Sequence, residues 1–243
     1  MTIEPSIRFP SSWGDSQATG ISVWRSDPKI EWARHRLTGK GGFSATFATN
    51  VTRLFLDHPG VVIDPFSGTG IRTMAANVLG HTAFGVDISP VAIKSCLNRW
   101  DLIEGSFLIG DARSLPLRSE SVDLVFTSPP YWRVERYESA SGQLSDVKTY
   151  ARFLAELTTA FAEMYRVLKS GCFAAVVVAN FRRWGVFYPF VFDAFERLRS
   201  VGFAPWDHVV LVRESTTPLG MARSLENHHT KVAHDDLLIV RKV

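Results

Sequence analysis

The sequence predicts an α/β protein with a doubly wound, mostly parallel sheet of seven strands and an antiparallel last strand. Three observations support this fold class. Short continuous apolar runs, such as residues 61–63, are typical of strands buried on both faces. Amphipathic helical segments alternate with these runs. A glycine-containing turn at residues 65–70 joins the first such strand to a helix, as in the first half of a βαβ unit.

The length and composition are those of one ordinary globular domain. The chain has 243 residues, and 46% of them are hydrophobic, which excludes wholesale disorder. No apolar run is long enough to span a bilayer, and residues 1–13 lack a signal-peptide pattern. Two cysteines are too few for a disulfide framework, so a reducing cytoplasm is the expected setting. The net charge of +3 is compatible with a nucleic-acid partner.

Residues 1–42 are predicted to form an N-terminal arm, and residues 43–243 the main domain. The arm carries Trp13, Trp24 and Trp32, and it shows no periodicity over residues 11–27. An irregular segment packed over the domain through its tryptophans is the favoured interpretation, because exposed tryptophan is costly. The alternative is a lid or nucleic-acid arm with Trp24 and Arg25 as contacts.

The main domain begins with a helix over residues 43–58 and then alternates strands with helices. Helix 150–168 places Phe153, Leu157 and Phe161 on one face, and Gly171 is expected to terminate it. Helix 90–104 turns Cys96 inward, so this cysteine is expected in the core. The other predicted helices are 71–79 and 189–201, and the strands are 61–64, 82–86, 107–109, 122–126, 173–178, 206–213 and 237–241.

The stretch Thr-Ser-Pro-Pro-Tyr-Trp at residues 127–132 follows a buried strand, where ligands bind in open α/β sheets. Prolines lack a backbone donor and have a fixed φ, so their carbonyls are rigid, free acceptors. Ser128 and the Pro129 carbonyl suit the hydrogens of an exocyclic amino group, and Tyr131 suits its ring. The alternative is a plain proline turn.

The stretch Asp-Pro-Phe-Ser-Gly-Thr-Gly at residues 64–70 is a second candidate site. Gly68 and Gly70 allow a sharp turn and close approach of a ligand. Thr73 stands where a dinucleotide fingerprint has its third glycine, so that fingerprint is not encoded. Asp87 follows roughly 20 residues later, the spacing for a ribose contact. Its alternative role is a helix N-cap, although Ser89 and Pro90 suffice to start that helix.

Both motifs resemble those of the amino-methyltransferases, which methylate an exocyclic nitrogen of cytosine or adenine in DNA. T-S-P-P-Y resembles their motif IV, and D-P-F-S-G-T-G resembles their motif I, which holds S-adenosylmethionine. The resemblance covers nearly all of residues 43–243, and it implies a Rossmann-like class I methyltransferase fold. The serine form of motif IV is more typical of cytosine-N4 enzymes, whereas aspartate or asparagine is more typical of adenine-N6 enzymes.

The resemblance implies a role for each matched residue. Phe47 matches by position only, and Asp111 resembles the contact to the cofactor's adenine amino group, with a turn aspartate as its alternative. The implied catalytic residues are Ser128, Pro129, Pro130 and Tyr131. The implied cofactor-binding residues are Phe47, Asp64, Pro65, Phe66, Ser67, Gly68, Thr69, Gly70, Asp87, Ile88, Asp111, Ala112 and Thr127.

Nucleic-acid contacts are expected in the polar loops around the acceptor stretch. The arginines at 182 and 183 stand beside aromatics, which favours phosphate and base contact as much as a solvated turn. The histidines of the long loop 214–235 lack metal-ligand spacing, so no metal is expected. The candidate nucleic-acid contacts are Trp132, Arg133, Arg136, Arg182, Arg183, Arg223 and Lys231.

The expected function is methylation of the cytosine N4 amino group in DNA, with the base flipped out of a duplex or already single-stranded. The competing hypotheses are adenine N6, an RNA base, and a non-catalytic nucleic-acid-binding protein. No separate target-recognition domain fits in the chain. Target reading is therefore expected from loops 133–147 and 214–235, the arm, a second subunit in a homodimer, or another protein. A cognate restriction endonuclease is a further partner hypothesis.

Overall fold

A computed structural model of the protein describes residues 23–25, 45–99, 106–134, 141–212 and 234–243. The helices are α1 (Ala45–Phe55), α2 (Ile71–Val78), α3 (Pro90–Arg99), α4 (Tyr150–Val167) and α5 (Phe190–Ser200). The strands are β1 (Val23–Arg25), β2 (Val61–Asp64), β3 (Thr82–Asp87), β4 (Phe107–Ile109), β5 (Val122–Thr127), β6 (Leu168–Val178), β7 (Phe181–Arg183), β8 (Val186–Tyr188), β9 (Phe203–Val212) and β10 (His234–Lys242). One 3-10 turn spans Leu144–Asp146.

The main sheet has the order β1-β9-β10-β6-β5-β2-β3-β4. Strand β10 runs antiparallel to both of its neighbours, and the other described pairings are parallel. The predicted seven strands and the antiparallel last strand are confirmed. Strand β1 is an eighth strand, which pairs with the edge of β9. Strand β1 therefore corrects the expectation of an irregular segment at residues 23–25. The other residues of the N-terminal arm lie outside the described part of the chain. The domain boundary at residue 42 stays a prediction.

Helix α4 ends differently from the prediction. It stops at Val167, and β6 begins at the next residue. Gly171 has a φ of 83° and lies within β6, where the pairing with β5 shifts register between Val122 and Leu124. A glycine with positive φ accommodates such a bulge at little steric cost. Gly171 therefore shapes the strand rather than terminating the helix.

The helices cover both faces of the sheet. Helices α4 and α5 bury Phe153, Phe161 and Phe190 on one face, and α1 and α2 bury Val51 and Ala76 on the other. Cys96 is 1% exposed, in a cluster with other apolar side chains, which confirms its place in the core. Among the described helices, none combines the length and the apolar character that a membrane crossing requires.

The parallel direction of β2 to β6 determines where a site forms. The carboxyl ends of these strands meet at one edge of the sheet, where ligands bind in this architecture. The 65–70 turn, the 87–89 turn, the 110–112 turn and the 128–131 loop all leave the sheet at that edge. The β7–β8 hairpin follows β6 at the same edge.

Candidate active site

A single cleft joins the two sequence motifs at the carboxyl edge of the sheet. It encloses about 630 Å³ of empty space, including its open mouth. Gly68 and Ser128 both line it, so the cofactor turn and the acceptor stretch face one space. The lining residues are Pro65, Phe66, Gly68, Asp87, Ile88, Ser89, Ala92, Asp111, Ala112, Ser128, Pro130, Gln143, Leu144 and Ser145.

The turn at residues 65–70 depends on its two glycines. Gly70 has a φ of 77°, and a Cβ at this position would lie 2.7 Å from the Phe107 ring. Gly68 has a φ of 49°, and a Cβ there would meet open space. The Ser67 N–H donates to the Val86 carbonyl at 3.0 Å, which ties the turn to the neighbouring strand. Gly70 thus permits the turn to pack tightly against Phe107, and Gly68 leaves space for a ligand on the cleft side of the turn.

Asp87 presents a carboxylate to the cleft from the end of β3. Its Oδ2 accepts the Gly68 N–H at 2.8 Å, and its Oδ1 accepts the Ser89 N–H at 2.9 Å. The Ser89 hydroxyl accepts the Ala92 N–H and thereby caps α3, so Asp87 is not needed as the N-cap. A carboxylate has about four acceptor positions, which leaves capacity for a ribose diol. With Ile88 and Phe66 as apolar walls, this part of the cleft fits the nucleoside of S-adenosylmethionine.

Cofactor affinity is expected to fall on acidification, beginning at a higher pH than an ordinary aspartate would give. Burial raises the pKa of Asp87, and the N–H donors of Ser89 and Gly68 only partly offset this. A raised pKa means that the charged acceptor is present above it and is lost as pH falls through it. Titration calorimetry of cofactor binding from neutral to mildly acidic pH measures the effect.

Asp87→Asn should remove this acid-dependent step and weaken cofactor binding at neutral pH. The expected loss is about 1.5–3 kcal/mol, typical of hydrogen bonds to a charged group. Asp57→Asn is the matched control, because the Asp57 side chain is 93% exposed. Unchanged affinity in Asp87→Asn would exclude the ribose contact.

Asp111 is held by a residue that the sequence interpretation missed. Arg113 donates to both Asp111 carboxylate oxygens through Nε and a terminal nitrogen, and its backbone N–H donates to Oδ1. Burial acts to raise the pKa of Asp111, but the contacts from Arg113 outweigh it and lower that pKa. The acceptor positions of Asp111 are thus largely occupied. Asp111 lines the cleft, but its carboxylate has few free acceptor positions for the predicted contact with the adenine amino group.

Arg113 also connects Asp111 to two other parts of the cleft wall. Its guanidinium donates to Glu156 of α4 at 2.9 Å and to the Gly142 carbonyl at 2.9 Å. The next residues, Gln143 to Ser145, line the cleft together with residues of the cofactor turn. The sequence indicated loop 133–147 for target reading, but not the long-range arginine contact beside these residues.

Asp64 and Thr127, predicted to bind cofactor, instead face each other in the core. Asp64 is 1% exposed and Thr127 0%. The Thr127 hydroxyl donates to Asp64 Oδ1 at 2.7 Å, and Arg72 Nε donates to Oδ2 at 2.7 Å. Neither residue is part of the described cleft wall. They connect the cofactor turn to the acceptor stretch, which corrects their predicted role.

Four further residues predicted to bind cofactor are not part of the described cleft wall. Phe47 of α1 packs edge-on against Phe126, with ring centroids 5.9 Å apart. Ser67 is 2% exposed, so its side chain is closed off from the cleft. Direct contact of these four residues with the cofactor stays a prediction. The four are Phe47, Ser67, Thr69 and Gly70.

The acceptor stretch presents Ser128 and Pro130 to the cleft and buries Pro129. Within the described residues, no hydrogen bond engages the Ser128 hydroxyl, which is half-buried. Tyr131 is also half-buried, and its ring meets those of Phe181 and Phe190 edge-on at 5.9 and 5.5 Å. Ser128 is thus available to a ligand, and Tyr131 is supported from behind.

Trp132, predicted to contact nucleic acid, is a core residue. It is 6% exposed, and its indole N–H donates to the Val147 carbonyl at 2.9 Å. Its ring contacts Tyr150, Trp184 and Tyr188. An indole whose N–H is already paired inside an aromatic cluster has no open face for a base. Trp132 therefore supports the acceptor stretch instead of binding nucleic acid.

The predicted phosphate contacts are only partly described. Arg133 lies 5.9 Å above the Trp132 ring, and its Nε donates to the Val147 carbonyl at 3.4 Å. Arg182 and Arg183 lie on the β7–β8 hairpin, beside the acceptor stretch. Arg136, Arg223 and Lys231 lie outside the described residues, as does most of loop 214–235. Among the residues that the structure describes, no group of three or more potential metal ligands is found.

Comparison with known proteins agrees with this site. A methyltransferase-domain model matches residues 63–176, and a DNA methylase model of the N6 and N4 type matches residues 122–242. The first match contains the cofactor turn and Asp87, and both matches contain the acceptor stretch. The two motifs therefore lie within the corresponding family matches.

Solved structures share the fold at low identity. A S-adenosylmethionine-dependent methyltransferase from Methanosarcina mazei is 15% identical, covering 79% of this chain and 97% of its own, with a TM-score of 0.55. TrmN from Thermus thermophilus is 17% identical, covering 84% and 50%, with a TM-score of 0.56. The [4+2]-cyclase SpnF is 21% identical, covering 80% and 81%, with a TM-score of 0.52. A cyclase among these structures illustrates that the fold alone does not define the reaction.

The fold, the glycine turn and the family matches define a S-adenosylmethionine-dependent methyltransferase. Within this class, residues 122–242 match the DNA methylase family, whose model includes both N6 and N4 enzymes. S-adenosylmethionine is its cofactor.

Proposed function

We propose that the protein methylates the exocyclic N4 amino group of cytosine in DNA. The observation that carries the proposal is the shared cleft, in which the Ser128 hydroxyl faces the same space as Gly68 and Asp87. A methyl donor held by the turn and by Asp87 would lie beside an amino group held by Ser128. Such positioning is the main requirement of a direct transfer.

The chain's own residues address the low nucleophilicity of an aromatic amine. The amine lone pair is delocalised into the base ring. S-adenosylmethionine, when bound, supplies an electrophilic methyl carbon on a sulfonium. The Ser128 hydroxyl and the Pro129 carbonyl accept the amino hydrogens, which favours a pyramidal nitrogen and stabilises the positive charge that develops there. The proton that the nitrogen releases passes to water, since Ser128 is not fully buried.

Binding of the base depends on rigid aromatic support. A cytosine inside a duplex must leave its stack or already be single-stranded to enter a cleft of this kind. Tyr131 provides a ring face whose orientation Phe181 and Phe190 restrict. Three arginines beside the acceptor stretch supply positive charge that attracts the phosphate backbone of the DNA: Arg133, Arg182 and Arg183.

Adenine N6 is the second candidate target. The observation that favours it is the DNA methylase model itself, which includes N6 and N4 enzymes. Ser128 in place of aspartate or asparagine favours cytosine. A cytoplasmic setting, a homodimer and a cognate restriction endonuclease belong to the same proposal.

Analysis of digested nucleosides by mass spectrometry separates these targets. Unmethylated DNA and RNA are each incubated with the protein and isotope-labelled cofactor. N4-methylcytosine from DNA is the expected product. Labelled N6-methyladenine without N4-methylcytosine would assign the second candidate, and label in RNA alone would contradict the DNA proposal. Cofactor binding without transfer to any substrate would favour a non-catalytic protein.

A further inference from the structure

The β7–β8 hairpin carries an exposed aromatic tip. Trp184 is 64% exposed, and Val186 and Phe187 beside it are 53% and 45% exposed. Trp184 and Gly185 form the two-residue connection between the strands, with φ values of 50° and 78°. Positive φ at both positions is what a type I′ turn requires, and it favours Asn, Asp or Gly at the first position. A tryptophan there is strained, and it exposes a large apolar ring that the turn itself does not need.

The tip also combines two guanidinium groups with aromatic rings, a combination that suits a nucleic acid with its phosphates and flat bases. The Arg183 guanidinium lies 4.8 Å from the centre of the Trp184 ring, and that of Arg182 lies 5.3 Å from the Phe187 ring. Aromatic faces next to guanidinium groups bind nucleic-acid strands by base stacking and phosphate attraction. A purely apolar protein partner would leave these two charges without a counterpart.

The hairpin is fixed to the acceptor stretch by aromatic contacts. Phe181 and Tyr188 stack across it with ring centroids 5.1 Å apart and planes at 14°. Trp132, directly after Tyr131, contacts Tyr188 at 5.4 Å and Trp184 at 5.8 Å. The position of Trp184 is therefore coupled to that of Ser128, since residues 128–132 are one continuous segment.

We infer that the β7–β8 hairpin is a duplex-opening element whose Trp184 ring stacks on the base next to the target. This inference rests on the proposed function. A base that leaves a duplex exposes its neighbours and costs a few kcal/mol of stacking. The Trp184 ring replaces the lost stacking surface, and Arg182 and Arg183 hold the adjacent phosphates. The element matters for double-stranded substrate, because a single strand has no stack to open.

The test compares methyl transfer to bulk unmethylated duplex DNA with transfer to the same DNA after heat denaturation. Trp184→Ala is expected to lower the rate on duplex about tenfold, the size of one lost base–aromatic stack. The rate on denatured DNA should stay at the wild-type value. Trp184→Phe should retain most of the duplex activity, because a smaller ring still stacks. Cofactor binding by each variant verifies that the protein is folded.

Trp206→Ala is the matched control. Trp206 is 56% exposed and has its own arginine, Arg241, at 5.4 Å. It contacts Phe173 on the face of the sheet that packs against α1, away from the hairpin.

Loss of duplex activity in Trp206→Ala, or equal losses on both DNA forms in Trp184→Ala, would overturn the inference. Wild-type activity of Trp184→Ala on duplex would do the same. A wild-type protein inactive on both DNA forms would instead overturn the proposed function and this inference with it.

Discussion

Replacing Ser128 with alanine is expected to slow methyl transfer roughly 10²–10³-fold, by analogy with loss of one preorganised group at a reacting centre. The hydroxyl faces the cleft and is unpaired within the described residues, so it is available as an acceptor for an amino hydrogen. Alanine removes that acceptor and leaves the backbone of the proline corner in place. Single-turnover transfer of a labelled methyl group to DNA measures the rate.

The affinity for S-adenosylmethionine should be unchanged in the same variant, because the cofactor turn and Asp87 belong to other strands. Ser128→Thr keeps a hydroxyl at the position and should retain part of the activity. Ser200→Ala is a matched control at an exposed position at the end of α5, outside the cleft wall, and it should be fully active. Undiminished turnover by Ser128→Ala would show that this hydroxyl does not activate the amine.

Asp64→Ala is expected to destabilise the fold by about 3–5 kcal/mol, the usual cost of removing one partner of a buried ion pair. Asp64 accepts hydrogen bonds from Arg72, Thr127 and the Phe66 N–H. The Arg72 side chain, only 8% exposed, would lose its hydrogen bond from Nε to the Asp64 carboxylate. Chemical denaturation followed by circular dichroism measures the free energy of unfolding.

The Asp64→Ala/Arg72→Ala pair tests whether the loss comes from the ion pair. The double variant should be less destabilised than the sum of the two single variants, because each single variant already loses the contact between Asp64 and Arg72. Asp57→Ala provides the exposed control, and its free energy of unfolding should match the wild type. Strict additivity of Asp64→Ala and Arg72→Ala would contradict a coupled pair.

The sequence by itself determined the order of the elements and the two motifs of the site. The strands over residues 61–64, 122–126 and 173–178 follow from continuous apolar runs, which signal burial on both faces. The turn with Gly68 and Gly70 follows from the need for positive φ and close packing. These features are local, so spacing and residue type suffice to predict them.

Only the tertiary structure decided which polar side chains face the cleft. Asp64 and Thr127 lie at the ends of two parallel strands, 63 residues apart in the sequence. The Thr127 hydroxyl donates to the Asp64 carboxylate, and this contact keeps both side chains away from the cleft. Arg113 occupies Asp111 while it also reaches Glu156, 43 residues away. Periodicity gives the face of a strand on which a side chain lies, but not the partner that it finds there.

The aromatic residues of the acceptor stretch show the same division. The sequence predicted that Tyr131 stacks on the base and that Trp132 contacts nucleic acid. Burial separated the two residues: Tyr131 stays half-buried, and Trp132 is enclosed by Tyr150 and Tyr188. Trp184, one of the aromatics beside Arg182 and Arg183, is 64% exposed. Exposure depends on what other strands and helices place over a side chain, and that is decided when the chain is folded.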